Sequence, residues 1–227
     1  MAALLLFSCA GEPSRSLVLT NPSRDDSPIL VGEYAESGGA PTLTDCTTHQ
    51  TLDVLRESDF VALHDAVSAL GRDPASPVIV SLMGGGSSET GKFRVQRFLA
   101  VWPEETCEKA GVHTTLDNTY WKLVELGGVS YSAHENQPEV HVILRVKSDQ
   151  ISGFSGCNPL SGRYQVDGDR LSFLNLGVVP TDCEYQEEEQ EFLDVLTRVT
   201  NYQSVGESLQ LRDENGPIAR LRAVYFR

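Results

Sequence analysis

Several features that indicate common protein functions are missing from this 227-residue sequence. Positive charge is scarce: 18 Lys and Arg stand against 32 Asp and Glu, for a formal net charge of −14. Such a charge repels nucleic acids and anionic lipid surfaces, so the sequence disfavours polyanion binding, and we expect no nucleic-acid partner. No Cys-x-x-Cys pair occurs, so neither a thioredoxin-like dithiol nor a zinc ribbon is supported. The apolar run Leu4–Phe7 is too short to span a bilayer.

Two near matches to catalytic motifs are incomplete. Residues Gly86–Lys92 spell GxxxxGK, but Phe93 stands where a P-loop has Ser or Thr, and the alternating pattern that follows predicts a strand instead of a helix. Ser155 lies in a near match to GxSxG, in which Cys157 replaces the last glycine and no strand-to-helix turn follows. We therefore predict a loop at the first motif, no hydrolase site at the second, no enzyme activity and no cofactor.

The residues that are present support packed domains. Apolar residues make up 40% of the chain and charged residues 22%, which argues against a disordered chain. The length suits two domains of roughly 100 residues each. We predict a tether over residues 10–27, one domain over residues 28–110 and a second over residues 117–227, both mainly β (α+β).

The pattern of the first predicted domain is strands interrupted by one helix. Apolar residues recur at helical spacing in Asp59–Gly71, with Ser58 or Asp59 as the expected cap and Gly71 as the expected end. On this helix, His64 and Asp65 are expected to lie on the solvated face. Three strands, a helix and two strands is the element order of a five-stranded OB-fold barrel.

The second predicted domain is organised around the corner Gly156-Cys157-Asn158. We expect positive φ angles there, which glycine and asparagine tolerate. Glu187–Val199 is predicted as a helix with Phe192, Leu196 and Val199 facing inward. Its first glutamates are expected to lie in solvent and to complement the helix dipole; a docking surface for a cationic partner is the alternative. Val205–Leu211 and Ile218–Phe226 are predicted as a final hairpin. The result is an antiparallel sheet with one packed helix.

Residues 1–9 are interpreted as a truncated lipoprotein signal segment. Leu6-Phe7-Ser8-Cys9 resembles the lipobox of bacterial lipoproteins, which implies that Cys9 is the lipidated residue. Ala10 differs from the aspartate associated with inner-membrane retention, so the resemblance implies an outer-membrane lipoprotein that faces the periplasm. The expected partner is then the membrane, through a lipid anchor.

The other four of the five cysteines indicate disulfides, because they are even in number and the chain is predicted to be exported. Order along the chain favours Cys46 with Cys107 and Cys157 with Cys183, each contributing about 3–4 kcal/mol. The alternative is a zinc or copper site formed by Cys46, His49, Cys107 and His113. We predict the disulfides and no metal site.

Two stretches resemble known domain families. The second domain resembles the META domain of the HslJ heat-shock family. The resemblance rests on Trp121–Leu126, Ile151–Asn158 and Gly162-Arg163-Tyr164, followed by Cys183. That family often has a threonine four residues before this cysteine; Val179 stands here, and Thr181 is two residues before the cysteine.

The resemblance of the first domain rests on Thr44–Cys46 and Val101–Cys107, which are similar to the OB-type domain of the NlpE copper-resistance lipoproteins. The N-terminal Cys-x-x-Cys associated with copper in NlpE is absent, so copper binding is not implied. Together the resemblances imply a non-catalytic envelope lipoprotein that supports envelope integrity or stress tolerance. The alternative is a small-ligand or metal-binding module that uses the OB barrel face or the groove between the domains.

Overall fold

A computed structural model describes residues 29–86, 91–111 and 114–225 of the chain. The predicted signal segment with Cys9, the tether, most of the GxxxxGK loop and His113 lie outside the described residues. The described part forms two sheets, of five and nine strands, together with three helices. No helix in these ranges is long and apolar enough to cross a bilayer.

The N-terminal domain is a five-stranded barrel with one helix, as predicted. Its elements are β1 (Ile29–Ser37), β2 (Ala40–Asp45), β3 (Thr51–Asp53), α1 (Phe60–Ser68), β4 (Val78–Gly86) and β5 (Phe93–Trp102). The strands pair antiparallel in the order β3-β2-β1-β4-β5. A parallel bridge between Val54 and Phe93 joins the two outer strands, which closes the sheet into an OB-fold barrel.

Helix α1 closes the bottom of this barrel with Phe60 and Leu63, which are 5% and 0% exposed. The predicted side-chain cap is wrong. Asp59 makes no capping bond; instead its carboxylate accepts the backbone N–H of Phe98 at 2.6 Å and so ties the helix start to β5. The helix ends at Ser68, before Gly71.

The C-terminal domain is a second closed barrel with one packed helix. After a short helix α2 (Cys107–Ala110), its elements are β6 (Tyr120–Leu126), β7 (Val129–Ser130), β8 (His141–Arg145), β9 (Gln150–Phe154), β10 (Pro159–Asp167), β11 (Arg170–Val178), α3 (Gln186–Arg198), β12 (Asn201–Val205), β13 (Ser208–Asp213) and β14 (Gly216–Val224). All strand pairs are antiparallel, and β14 pairs back onto β6. Because β7 pairs with β6 as a side hairpin, the other eight of the nine strands form the closed circuit.

The hydrogen-bonded pairing in this circuit is shortest between β11 and β12, where Arg170 and Asn201 are the one pair of register partners. Helix α3 connects these two strands and packs Phe192, Val195 and Leu196 into the barrel core, each no more than 3% exposed. The helix therefore fills the place where the strands diverge. This arrangement follows from its apolar spacing, since residues three and four apart share a face of a helix.

The predicted final hairpin is present as β13 and β14, but its first strand begins at Ser208 and not at Val205. The chain turns at Gly206, whose φ of +58° favours glycine, so this stretch is divided between β12 and β13. Helix α2 lies between the two barrels along the chain. It lies against β1 of the N-terminal domain, and its first residue, Cys107, is bonded to Cys46 in the turn after β2.

Candidate functional site

The corner between β9 and β10 is a tight turn closed by its own backbone. The N–H of Ser155 donates to the carbonyl of Asn158 at 3.0 Å. Gly156 has a φ of +112°, in the region that favours glycine, as expected. Asn158 is not among the positive-φ residues, so that part of the prediction is wrong. Its side chain supplies hydrogen bonds instead.

A buried carboxylate from α3 occupies the centre of this corner. Glu189 is 7% exposed, and Ser155 and Asn158 are each 1% exposed. One carboxylate oxygen of Glu189 accepts the backbone N–H of Asn158 at 2.9 Å and the hydroxyl of Ser155; the other accepts Nδ2 of Asn158 at 2.8 Å. Both carboxylate oxygens are therefore satisfied, as a buried charge requires. The prediction that the first glutamates of the helix all lie in solvent is wrong for Glu189.

The segment before α3 is fastened to the same corner in two ways. Cys157 and Cys183 form a disulfide with a Cα–Cα distance of 5.8 Å. The side-chain carbonyl of Asn158 accepts the N–H of Thr181 at 2.9 Å and its hydroxyl at 2.6 Å. We call the set of Ser155, Cys157, Asn158, Thr181, Cys183 and Glu189 the clasp. Thr181 thus has a definite contact that sequence reasoning left unassigned.

The chemistry available to the clasp is limited. A serine nucleophile needs an adjacent base and access to substrate. The Ser155 hydroxyl lies 2.8 Å from the Asn158 carbonyl and also contacts Glu189, so its neighbours are structural acceptors, and the residue is almost completely buried. The cysteine at the corner is bonded to Cys183 and has no thiolate to offer. The arrangement joins β9, β10 and α3 and presents no reactive group to solvent.

The loop between β7 and β8 covers the start of α3 through His134. Nε2 of His134 lies 3.0 and 2.9 Å from the two carboxylate oxygens of Glu188. Its ring stacks on Tyr185, with centroids 3.7 Å apart. Nearby, burial and the charge of Glu188 raise the pKa of Tyr131. Sequence reasoning missed this contact because a loop histidine has no periodicity to place it.

The two domains share an apolar cluster. Val205 of β12 packs with Ile79, Ala100 and Trp102 of the N-terminal barrel, and the Cys46–Cys107 disulfide borders the same cluster. The indole N–H of Trp102 donates to the hydroxyl of Ser81 at 3.0 Å, so its polar atom is satisfied. These contacts bury the junction between the two domains.

Polar contacts reinforce this junction. Nε2 of Gln210 donates to the Val101 carbonyl at 3.1 Å, and the hydroxyl of Ser208 donates to Glu105 at 2.5 Å. Arg222 and Glu104 form an ion pair at its edge. The predicted groove between the domains is therefore occupied by packed side chains at this place.

The N-terminal domain contains a second carboxylate with several partners. Glu36 accepts the hydroxyl of Tyr34 at 3.2 Å and pairs with Nη2 of Arg56 at 3.1 Å, while Nδ1 of His64 lies 3.6 Å away. Burial, followed by the charge of Glu36, raises the pKa of Tyr34. Asp65 is exposed as predicted, but His64 faces Glu36, so the prediction of a purely solvated face is wrong for His64.

The face that OB folds use for oligonucleotides is poorly equipped for stacking here. Strands β2 and β3, with sequences APTLTD and TLD, contain no aromatic residue, and stacking on aromatic side chains is a main source of affinity for single strands. Outward threonines occupy this face, as shown by the 2.9 Å contact between the hydroxyls of Thr44 and Thr51.

The alternative metal site is not assembled. Cys46 and Cys107 are joined in a disulfide, so neither is available as a thiolate ligand. His49 stands in the turn after β2 with a φ of +58°. Within residues 29–86, 91–111 and 114–225, no group of three or more His, Cys, Asp or Glu side chains is placed to hold a metal ion.

These features define a class: two β-barrels, each with a disulfide, that share one buried junction. Comparison with known proteins finds a family match for each half of the chain. Residues 114–225 match the family model of the META domain, and residues 25–110 match that of the NlpE C-terminal OB domain. The chain joins an OB domain of the NlpE type to a META domain. Such domains are typical of bacterial envelope lipoproteins, and neither family is known for enzymes.

Solved structures resemble about half of the chain. An NMR structure of a protein from Burkholderia xenovorans is 23% identical, with a TM-score of 0.41; the match covers 56% of this chain and 100% of that one. A crystal structure of a DUF4847 family protein from Bacteroides vulgatus is 14% identical, with a TM-score of 0.36, over 49% of this chain and 94% of that one. A search of curated proteins found no match.

Proposed function

We propose that this chain is an outer-membrane lipoprotein, anchored through lipid on Cys9 and facing the periplasm, that supports envelope integrity or stress tolerance without catalysis. The observation that best supports a role without catalysis is the clasp. Its serine, cysteine and carboxylate are the side chains that could act in catalysis, and all three are held in hydrogen bonds or a disulfide within the protein. Two disulfides are also what an oxidising compartment allows.

The anchor is tested by changing Cys9 to Ser in the full-length precursor and fractionating the cells. We expect the wild-type chain in the outer-membrane fraction, with an acylated N-terminal cysteine by mass spectrometry. The Cys9→Ser protein should leave that fraction, because each buried acyl CH₂ contributes about 0.8 kcal/mol to membrane binding. An unmodified Cys9, or an unchanged distribution of the variant, contradicts the anchor.

A matched control separates anchoring from sorting. Ala10→Asp leaves the lipidated cysteine in place and supplies the residue associated with inner-membrane retention. We expect this variant to be acylated but to move to the inner-membrane fraction. If it stays in the outer membrane, the sorting part of the proposal fails while the anchor is unaffected.

The envelope role is tested with a deletion strain challenged with detergent and EDTA. We expect increased sensitivity that is restored by the wild-type gene and not by Cys9→Ser. Ser155→Ala supplies a further control: if this variant folds and restores resistance, the serine has no catalytic part in the role. A deletion strain without any envelope phenotype contradicts the proposal.

A further inference from the structure

One mouth of the C-terminal barrel is an open concavity of about 680 Å³. It lies where the β8–β9 turn, the β10–β11 turn and the two residues before β12 meet. The floor is formed by Tyr164, Leu171 and Val199, each less than 5% exposed. Barrel mouths are a common position for small-molecule sites, and this volume is in the range of such sites.

The rim of this mouth carries more carboxylate than guanidinium side chains. Asp149 and Asp167 stand on the rim with Arg170, and all three are exposed. Behind the floor, the hydroxyl of Tyr164 donates to Asp117 at 3.0 Å. Burial and this hydrogen bond raise the pKa of Tyr164 to about 12, so the phenol is neutral at pH 7 and adds no charge to the mouth.

Backbone hydrogen bonds hold the rim in place. The N–H of Tyr164 donates to the carbonyl of Asp149 at 3.0 Å, and the N–H of Leu171 donates to the carbonyl of Thr200 at 3.1 Å. The turns that bear the carboxylates are therefore fixed relative to the apolar floor. A site fixed before binding loses less entropy when a ligand enters.

We propose that this mouth binds a small organic cation: a primary ammonium group beside Asp149 and Asp167, with a short hydrocarbon chain on Val166, the apolar lining side chain that is 46% exposed. Contact with Val166 removes apolar surface from water, and the excess of carboxylate over guanidinium selects the positive charge. This inference concerns the C-terminal domain alone and is independent of the lipid anchor and of the envelope role.

The test is an NMR titration of the folded, disulfide-bonded protein with three probes of equal chain length: n-hexylamine, 1-hexanol and hexanoate at pH 7. We expect hexylamine to shift the amides of Val166, Leu171 and Thr200 and to bind about three- to tenfold more tightly than 1-hexanol. Hexanoate should bind most weakly, because the rim carboxylates repel it. Equal affinity for the amine and the alcohol, or shifts that map elsewhere, overturns the proposal.

Variants of the rim sharpen the test. Asp149→Asn combined with Asp167→Asn should weaken hexylamine binding about fivefold or more and leave 1-hexanol within about twofold, since an exposed charge pair contributes roughly two- to fivefold in affinity. Asn suits position 149, whose φ is +50°. Arg170→Gln should tighten hexylamine binding about twofold, because it removes a like charge.

Asp65→Asn is the matched control, because it removes one exposed carboxylate from helix α1 in the other domain. We expect hexylamine affinity within about 1.5-fold of the wild-type value. If Asp65→Asn weakens binding as much as the rim variants, the effect reflects the net charge of −14 and not the mouth. Weaker amine binding by Arg170→Gln also overturns the proposed charge selection.

Discussion

Each domain has a buried glutamate close to a disulfide, and the two differ in how completely they are satisfied. Glu189, beside Cys157–Cys183, has hydrogen bonds to both carboxylate oxygens. Glu105, two residues before Cys107, accepts the Ser208 hydroxyl with one oxygen, whereas its other oxygen is buried without a hydrogen-bond partner among the described residues. The first lies within one domain and the second lies between two.

The difference indicates where the structure is tightly specified. The clasp satisfies a charge with donors from a fixed turn of its own barrel, so it makes the turn, the helix and the disulfide interdependent. The junction between the domains relies more on apolar packing around Trp102, with an incompletely satisfied carboxylate at its edge. Removing a partner from the first should therefore be more costly than altering the second.

The largest effect is expected from Glu189→Ala. The change leaves the backbone N–H and the Nδ2 donor of Asn158 without their acceptor in a buried site, which should lower the free energy of unfolding by about 4 kcal/mol. Urea unfolding followed by tryptophan fluorescence measures this. Glu187→Ala, an exposed position on the first turn of the same helix, is the control and should cost less than about 1 kcal/mol. Equal losses in the two variants contradict a central role for Glu189.

The disulfides are compared by replacing each cysteine pair with serine. The bonds close loops of 26 and 61 residues, and in the chain-entropy model such loops contribute about 3.5 and about 4 kcal/mol respectively. Removal of Cys157–Cys183 should in addition weaken the clasp. Unfolding curves of the two double variants measure how much stability each disulfide contributes. If loss of Cys157–Cys183 costs less than about 1 kcal/mol, the clasp does not depend on its disulfide.

Glu105→Gln should slightly raise the free energy of unfolding, whereas substitutions at Glu189 should lower it. It replaces a buried, half-satisfied carboxylate by a neutral amide of the same shape, and its side-chain oxygen can still accept from Ser208. We expect a gain of up to about 1 kcal/mol in unfolding free energy. Glu189→Gln, its counterpart in the clasp, should destabilise by about 2 kcal/mol, because an amide NH₂ then faces donors. A loss of 2 kcal/mol at Glu105 would show that its second oxygen has a partner.

The smallest effect at neutral pH is expected from Tyr164→Phe, about 1 kcal/mol for the lost hydrogen bond to Asp117. Its signature is at alkaline pH. The folded-state pKa of Tyr164 is raised from 10.0 to about 12, so its stabilisation is complete below pH 10 and is lost as pH rises through 12. Over that window the unfolded chain binds fewer protons, and stability falls by up to about 1.4 kcal/mol per pH unit.

Measurement of unfolding free energy from pH 9 to 12 in both proteins checks this. Tyr164→Phe should flatten part of the alkaline decline, and Tyr34→Phe, with the OB-domain tyrosine that donates to Glu36, should flatten another part. Identical pH profiles for the wild type and Tyr164→Phe would contradict the raised pKa.

The sequence predicted local features well where periodicity or turn chemistry decides them. The spacing of Phe192 and Leu196 placed the buried face of α3, and the glycine of the corner has the expected positive φ. The same spacing could have revealed Glu189, which lies three residues before Phe192 and seven before Leu196, on one helix face. We expected a solvated glutamate because charged side chains seldom lie in a core, and tertiary hydrogen bonds overrode that tendency.

Features that depend on distant parts of the chain had no local signal. The pairing of β14 with β6 closes the barrel across some hundred residues, and neither strand indicates this partner in its own sequence. The contact of His134 with Glu188 joins a loop to a helix over 54 positions. Both are set by the assembled barrel, and the mouth that it forms could not be located from the sequence for the same reason.

The central claim, that the corner is a structural clasp, is tested most directly by a double-mutant cycle between Glu189→Ala and Asn158→Ala. Urea unfolding of the wild type, the two single variants and the double variant gives the coupling free energy. We predict a coupling of about 1–3 kcal/mol, because each single change leaves the other group buried without its partner. Additivity within about 0.5 kcal/mol would mean that the two side chains act independently and would contradict the clasp.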